Sequence, residues 1–415
     1  MPDLQALMRR SGGALRASAG WGPGLLVMLA DCDAGNVVTA AQSGAKWGIG
    51  LLPVLLALIP LLYMIQELCV RLGIFDGRGF GELIRKRFGP AWAAIAASGL
   101  VVAVMGSLVT EFTGVAGVGE MYGISRHVTL PLAVCVLLAI VLTGSHKRVD
   151  RVAMAIGMFE LTFFAVVWHA RPDLGALARQ FHVAPAGRLE FAYLAAALIG
   201  ATFNPWMIFY QQAAVADKKL TSRDYRSARI ETAVGAVLTQ FLTGAILVAA
   251  AATLSNAGDQ RGLQSVGEIS TALSSVVGWQ AGRLLFGAGV LGASLVAGIV
   301  CSLALAWGLG EIAGYRRSLE ESPSSAPWFF GVYAAAVSMS ALIVWIEPDL
   351  VSLNVAAQVV NALMLPLVVG LLIALAAVVL PGENRPRNGY LWLVSILAAV
   401  AFVAGLVGAA AGWLF

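Results

Sequence analysis

The stretch LADCDAGNVVTA, residues 29–40, sets two carboxylates, Asp31 and Asp33, and the amide of Asn36 inside an otherwise apolar segment. In a segment greasy enough to cross a membrane, a carboxylate costs from about 3 to more than ~10 kcal/mol, depending on how far water reaches it. Chains keep one there mainly where a cation or a proton is handled. Gly35 weakens the helix at the same place, freeing backbone carbonyls that must find partners. A second stretch, LIGATFNPWMIFYQQ at 198–212, interrupts another apolar run. Pro205 has no N–H and clashes with the carbonyl four residues back, that of Ala201. An unwound segment 201–204 would release carbonyl oxygens beside the Asn204 side chain. Each motif alone has a plain structural reading, a proline kink in one case and a hydrogen-bonded Asp in the other. Two breaks, each with an oxygen-bearing side chain, point to a cation site.

The surrounding elements must hold these groups at depth. The chain has 415 residues, 59% hydrophobic and 12% charged, with a mean hydropathy of +0.82. Soluble domains carry about 25% charged residues, so a water-facing fold is excluded. Apolar runs of the roughly 20 residues that span a bilayer recur at about 21–43, 50–72, 91–119, 128–144, 150–169, 190–214, 230–254, 282–312, 327–346, 351–380 and 390–414. The chain reads as an all-α polytopic membrane protein, one transmembrane domain over 1–415. The breaks fall in spans 1 and 6. Five spans apart, these run in opposite directions, as in an inverted-repeat transporter with its site at the midplane. The repeats would cover about 20–170 and 190–380, with a peripheral helix at about 390–414.

Loop charges orient the chain. With the N-terminus in the cytoplasm, segments 9–16, 71–87, 147–151, 218–229, 316–317 and 385–387 gather twenty of the 27 Lys and Arg on the inner side. Lys46, Arg126, Arg171, Arg179, Arg188, Arg261 and Arg283 stay outside. The positive-inside rule therefore gives a cell-membrane protein, N-terminus in and C-terminus out. The net charge of +4 reports topology and not nucleic-acid binding. The start, MPDLQALMRRSGGALRAS, lacks an h-region and cleavage site, so no signal peptide is expected. Cys32, Cys69, Cys135 and Cys301 form no CxxC pair and read as core filling.

These residues resemble the NRAMP family of divalent metal transporters, whose first helix carries Asp-Pro-Gly-Asn and whose sixth carries Ala-x-x-Met-Pro-His. The similarity extends to GPGLLVMLADCDAGN, to RLGIFDGRGFGELIRKRFG after span 2, and to AAQVVNALMLP in span 10. The resemblance implies the LeuT-type fold, two inverted five-helix repeats plus an eleventh helix. It also implies metal-binding roles for Asp33 and Asn36, the Ala201 carbonyl and Gln358. Ala34 replaces the family's proline. The family's methionine is Asn204 here and its histidine is Trp206. In LVTEFTGVAG, Glu111 matches the family's span-3 Asp, and Gly114 stands where a further acid is usual. Span 9, APWFFGVYAAAVSMSALIVWIE, has no arginine. These departures resemble the NRAMP-related magnesium transporter branch.

Loss of the thioether leaves Asp33, Asn36, Asn204 and the Ala201 carbonyl, an all-oxygen set that favours magnesium over cadmium while still accepting manganese. Magnesium usually keeps several waters, and Glu111 and Gln358 are candidates to hold them. Asp31, about 200° around a helix from Asp33, lines the inner vestibule as a cation attractor or is a hydrogen-bonded structural group. A 100 mV potential supplies ~4.6 kcal/mol for a divalent cation, roughly a thousandfold accumulation. With Gly114 and Trp206 in place of titratable groups the proton path is lost, and uncoupled magnesium and manganese uptake by alternating access is the simplest reading. No cofactor beyond the transported ion and no obligate protein partner is expected, only the lipid bilayer. Glu67 and Glu311 lie near cytoplasmic span ends, and Glu160 in GMFELTFF reads as a structural hydrogen-bonding group. His127, His146, His169 and His182 have no zinc-ligand spacing, and 217–229 reads as a solvated basic helix.

The alternatives are a proton-coupled manganese or iron importer and an amino-acid transporter of the same fold, which would favour free helix N-termini over a buried Asp33. An intramembrane enzyme would show Asp-rich or His/Glu motifs at the membrane surface, and none is evident.

Overall fold

In lipid, backbone polar groups must be satisfied within the protein, and this chain does so as helix. The computed structural model describes residues 22–170, 189–254, 279–347 and 350–412, with Gly175 and Ile269. Span 1 consists of α1 (Pro23–Asp31) and α2 (Ala34–Trp47), bent by 44° at the break. Then come α3 (Leu52–Phe75), the short α4 (Phe80–Phe88), α5 (Pro90–Met121) and α6 (Arg126–Val141). Span 5 is α7 (His146–Gly157), a 3-10 turn (Met158–Leu161) and α8 (Thr162–Ala170). Span 6 is α9 (Leu189–Thr202) and α10 (Pro205–Asp217). The remaining spans are α11 (Tyr225–Leu254), α12 (Trp279–Ala313), α13 (Pro327–Ile346), α14 (Leu350–Val378) and α15 (Asn388–Gly412).

Among the described residues, nine helical segments are long and apolar enough to cross a membrane, and the bent pair of span 1 makes a tenth. The eleventh expected span, α6, has 16 residues and ends at Val141, three short of the sequence estimate. Span 1 is enclosed: α2 packs along α11, and α1 lies against α11, α12 and α10. Helix α14 touches both breaks' neighbourhoods through α2 and α9, and α15 packs on the outside against α9 and α14.

Arg9, Arg10, Arg16, Arg171, Arg179, Arg188, Arg261 and His182 lie outside the described residues. At the basic end of the bundle, Arg317 pairs with Glu82 at 2.6 Å, Lys218 with Asp150 at 2.5 Å and His146 with Asp217 at 2.7 Å. Glu67, 1% exposed, pairs with Arg71 at 2.6 Å and accepts from Tyr390 at 3.1 Å and from Tyr225. Glu311 instead serves a helix: its Oε2 accepts the Gly81 N–H at 2.8 Å, capping α4.

Two expectations are corrected. Segment 217–229 is not one helix: α10 ends at Asp217, Lys219 takes φ 54°, and α11 starts at Tyr225. Asp224 accepts the Thr221 N–H at 2.9 Å and its hydroxyl at 2.8 Å, closing the turn, and these bonds hold its carboxyl below the usual range. Cys135 is exposed on α6, whereas Cys32, Cys69 and Cys301 are buried. In a membrane protein an apolar position can face lipid, so apolarity alone does not place it in the core.

Candidate functional site

Helix α1 ends at Asp31 and α2 begins at Ala34, so only Cys32 and Asp33 form the first gap. Asp33 caps α2, its Oδ1 accepting the Asn36 N–H at 2.7 Å, which also sets its charge at the positive end of the helix. Gly35 therefore lies within the first turn of α2 and is not the weak point. A Cβ there would stand 1.8 Å from Gln358 Nε2, so the glycine makes room for α14.

In span 6, α9 continues to Thr202 and only Phe203 and Asn204 leave the helix, a shorter gap than 201–204. Pro205 opens α10 at a position where a missing N–H is harmless. The loss is felt four residues back. The Ala201 carbonyl, deprived of a helical donor at 205, accepts Asn204 Nδ2 at 2.8 Å and Asn36 Nδ2 at 3.0 Å. Asn36 Nδ2 also donates to the Asp31 carbonyl, itself freed by the first gap. One amide thus staples both breaks.

From α5, Glu111 accepts the Ala34 N–H at 3.2 Å through Oε2 and the Thr110 hydroxyl at 3.2 Å through Oε1, with its carboxyl facing that of Asp33. Asn204 Oδ1 accepts the Ser107 hydroxyl at 3.3 Å and Asn361 Nδ2 at 2.5 Å. Asn361 Nδ2 also donates to Gln358 Oε1 at 3.1 Å, so Gln358 turns its nitrogen, not its oxygen, toward Gly35. Trp206 is fully buried and donates from Nε1 to Ser107 Oγ at 3.1 Å. At Gly114 an added Cβ would lie 2.4 Å from Ser294 Oγ and 2.7 Å from Ala34 Cβ, so no acid fits there.

The structure thus gathers Asp33, Asn36, Glu111, Ala201 and Asn204 around the two gaps, with Gln358 joined through Asn361. Asp31 is fully buried, its Oδ2 accepting Thr239 Oγ1 at 3.4 Å, and does not line an open vestibule here. Ser107 and Asn361 went unread in the sequence. Their signal was spacing: Ser107 lies four residues before Glu111 and Asn361 three after Gln358, each on the same helical face as its neighbour.

Beside the first gap, Asp31 Oδ1, Asp33 Oδ2 and Asn36 Oδ1 are buried with no protein partner. Such orphans cost about 1–3 kcal/mol each, more when charged, and they are the atoms a cation would satisfy. Among the described residues no three His, Cys, Asp or Glu side chains converge as a metal cage. Cys32, the sulfur in the gap, faces Thr243 of α11. The site residues are at most 2% exposed, and a narrow cavity lined by Gln66, Phe203, Pro205, Leu365 and Val369 abuts Asn204.

Residues 24–410 match the family described as natural resistance-associated macrophage protein-like, or Nramp. The chain belongs to this family. The match covers both broken spans and all the gathered residues. Among Nramp relatives, a divalent metal cation transporter MntH of Nostoc sp. is 28% identical over 92% of this chain and 88% of its own length. MntH of Deinococcus radiodurans is 30% identical over 73% of each chain. In three dimensions the chain is similar to the Eremococcus coleocola manganese transporter, with a TM-score of 0.74 and 16% identity over 93% of this chain and 85% of that one. It also resembles MhsT in complex with L-phenylalanine, with a TM-score of 0.63 and 15% identity over 94% and 98%. The LeuT-type fold expected from the sequence is the fold observed. This Nramp chain is a multi-pass membrane transporter, not an enzyme.

Proposed function

We propose that this protein carries divalent cations across the cell membrane by alternating access, magnesium foremost and manganese second, without proton coupling. The observation that carries this reading is the set of unpartnered oxygens, Asp31 Oδ1, Asp33 Oδ2 and Asn36 Oδ1, buried at a helix break with no thioether among the gathered side chains. Hard oxygens suit magnesium and manganese and serve cadmium poorly. Asp33 is the principal anionic ligand. Asn36, Asn204 and the Ala201 carbonyl complete the oxygen set once the ion displaces their present hydrogen bonds, and Glu111 and Gln358 hold waters of a partly hydrated ion.

The names of the Nostoc and Deinococcus relatives support a divalent cargo, and that of the Eremococcus protein favours manganese as the second reading. Against coupling stand Trp206, which cannot titrate, and Gly114, where packing admits no acid. The membrane potential alone supplies ~2.3 kcal/mol per charge per 100 mV. The charge asymmetry supports a cytoplasmic N-terminus and an external C-terminus. Uptake into liposomes containing only this protein, comparing magnesium, manganese, calcium and cadmium, tests the cargo. Magnesium and manganese should enter and compete, and uptake of cadmium in preference to magnesium would overturn the assignment.

A further inference from the structure

Glu160 lies in the 3-10 turn that interrupts span 5 and is fully buried. Neither carboxyl oxygen has a protein hydrogen-bond partner, so it is not the hydrogen-bonded structural group its sequence context suggested. Apolar side chains reach this turn: a Cβ built on Gly157 would be 3.6 Å from Glu160 Oε1, 3.3 Å from Leu29 Cδ1 of α1 and 3.6 Å from Val296 Cγ2 of α12. Helix α12 is the neighbouring span packed on this turn, and it brings Val296 there. Among the described residues, the titratable groups whose charge bears on Glu160 are Asp33 and Asp31, with Cys32 between them in the same gap.

An ionised carboxylate fully buried without a donor and within the field of two further carboxylates is a costly state. A proton removes the charge, leaving only the smaller cost of a buried polar group. The sign of the local field changes when two positive charges arrive at the gap. We propose that Glu160 is a proton-binding site of its own beside the ion site, occupied while the ion site is empty and vacated when a divalent cation loads at Asp33. The exchange is balanced: the O–H bond of the Glu160 carboxyl breaks, the electron pair stays on oxygen, and the proton leaves to the aqueous side from which the cation came. A proton returned to that same side gives a pH-sensitive ion affinity without a coupled flux. By linkage, binding that releases a proton strengthens as pH rises, by at most tenfold per pH unit for one proton.

The loading step rests on the ion-site reading above; the proton site does not. Infrared difference spectra of the full chain in liposomes separate the two. In metal-free pH steps, a protonated-carboxyl carbonyl band should be present in the unmodified protein, absent in Glu160→Gln, and displaced but retained in Glu160→Asp. A spectrum with no band that Glu160→Gln removes overturns the proton site. Magnesium chloride added at fixed pH should then shrink that band while shifting the carboxylate stretches that Asp33→Asn removes. A band unchanged by magnesium while the Asp33 stretches move overturns the linkage. If neither responds, the ion-site reading is what fails, and the metal-free spectra still decide the proton site. Magnesium affinity, read by competition, should tighten by about tenfold across the range in which the band titrates, and distinctly less in Glu160→Gln.

Discussion

Glu111 and Glu160 are both buried glutamates whose surroundings include the first gap, and the protein treats them oppositely. Glu111 is wired in: it accepts a backbone N–H from Ala34 and a hydroxyl from Thr110, and it faces Asp33. Glu160 is buried with neither carboxyl oxygen hydrogen-bonded. A carboxyl supplied with donors is held in a fixed orientation and can shape a cation site. One without donors is held neutral by a proton or neutralised by something that moves. Identical side chains at similar burial thus serve different chemistry because of the donors around them.

The largest effect expected is at the charge both glutamates answer to. Asp33→Ala removes the proposed anionic ligand and, on that reading, should lower magnesium uptake by at least about a hundredfold, the scale of several kcal/mol of lost ligation. It should leave a monodisperse, folded protein by size-exclusion chromatography. Retained uptake would move the ion away from the gap and leave the two glutamates with nothing in common.

The Glu111 side is sharpened next through Asn204, which shares Ser107 with Trp206. Asn204→Met places a soft sulfur where an amide oxygen stands and should raise the cadmium-to-magnesium uptake ratio by about tenfold. An unchanged ratio in competitive uptake would remove Asn204 from the ion's surroundings.

Stability distinguishes the glutamates directly. Glu111→Leu strands the Ala34 N–H and the Thr110 hydroxyl and should destabilise the protein by about 1–3 kcal/mol. Glu160→Leu strands nothing and removes an unpartnered carboxyl, so it should be neutral or stabilising by up to a similar ~1–3 kcal/mol. Thermal unfolding in detergent gives both values, and shifts of the same sign and size would erase the contrast.

The smallest expected signal is a zero. With the potential clamped, magnesium uptake should produce no net acidification of the liposome interior. Metal-dependent proton influx, read with an internal pH dye, would turn the Glu160 proton from a local exchange into a transported one.

Much of this arrangement was legible in the sequence because bilayer solvation makes polar residues conspicuous. Asp33, Asn36 and Glu111 stand out in apolar runs, and Pro205 marks its own helix break. The second gap proved shorter than the expected 201–204 because Pro205 starts α10 at once, and the first is equally short because Asp33 caps α2 immediately, leaving two residues in each. Gly35 was misread for a related reason: a glycine signals either a flexible backbone or a close approach, and only the position of Gln358 decides. The orientation of Gln358 and the isolation of Glu160 depend on neighbours distant in the chain, so no local pattern contains them. Cys135 shows the converse, since its apolar setting fits lipid as well as core.

The amide of Asn36, bonded at once to the carbonyls of Asp31 and Ala201, bears on the return half of the transport cycle. A carrier that moves one cargo and nothing else must turn around empty, and bare carbonyls crossing the membrane would make that journey slow. With the Asn36 amide covering these two carbonyls, the vacant carrier leaves only the side-chain oxygens Asp31 Oδ1, Asp33 Oδ2 and Asn36 Oδ1 without partners at the first gap. Net filling should then keep pace with one-for-one isotope exchange, and exchange many times faster than net uptake would show that this internal substitute does not ease the empty return.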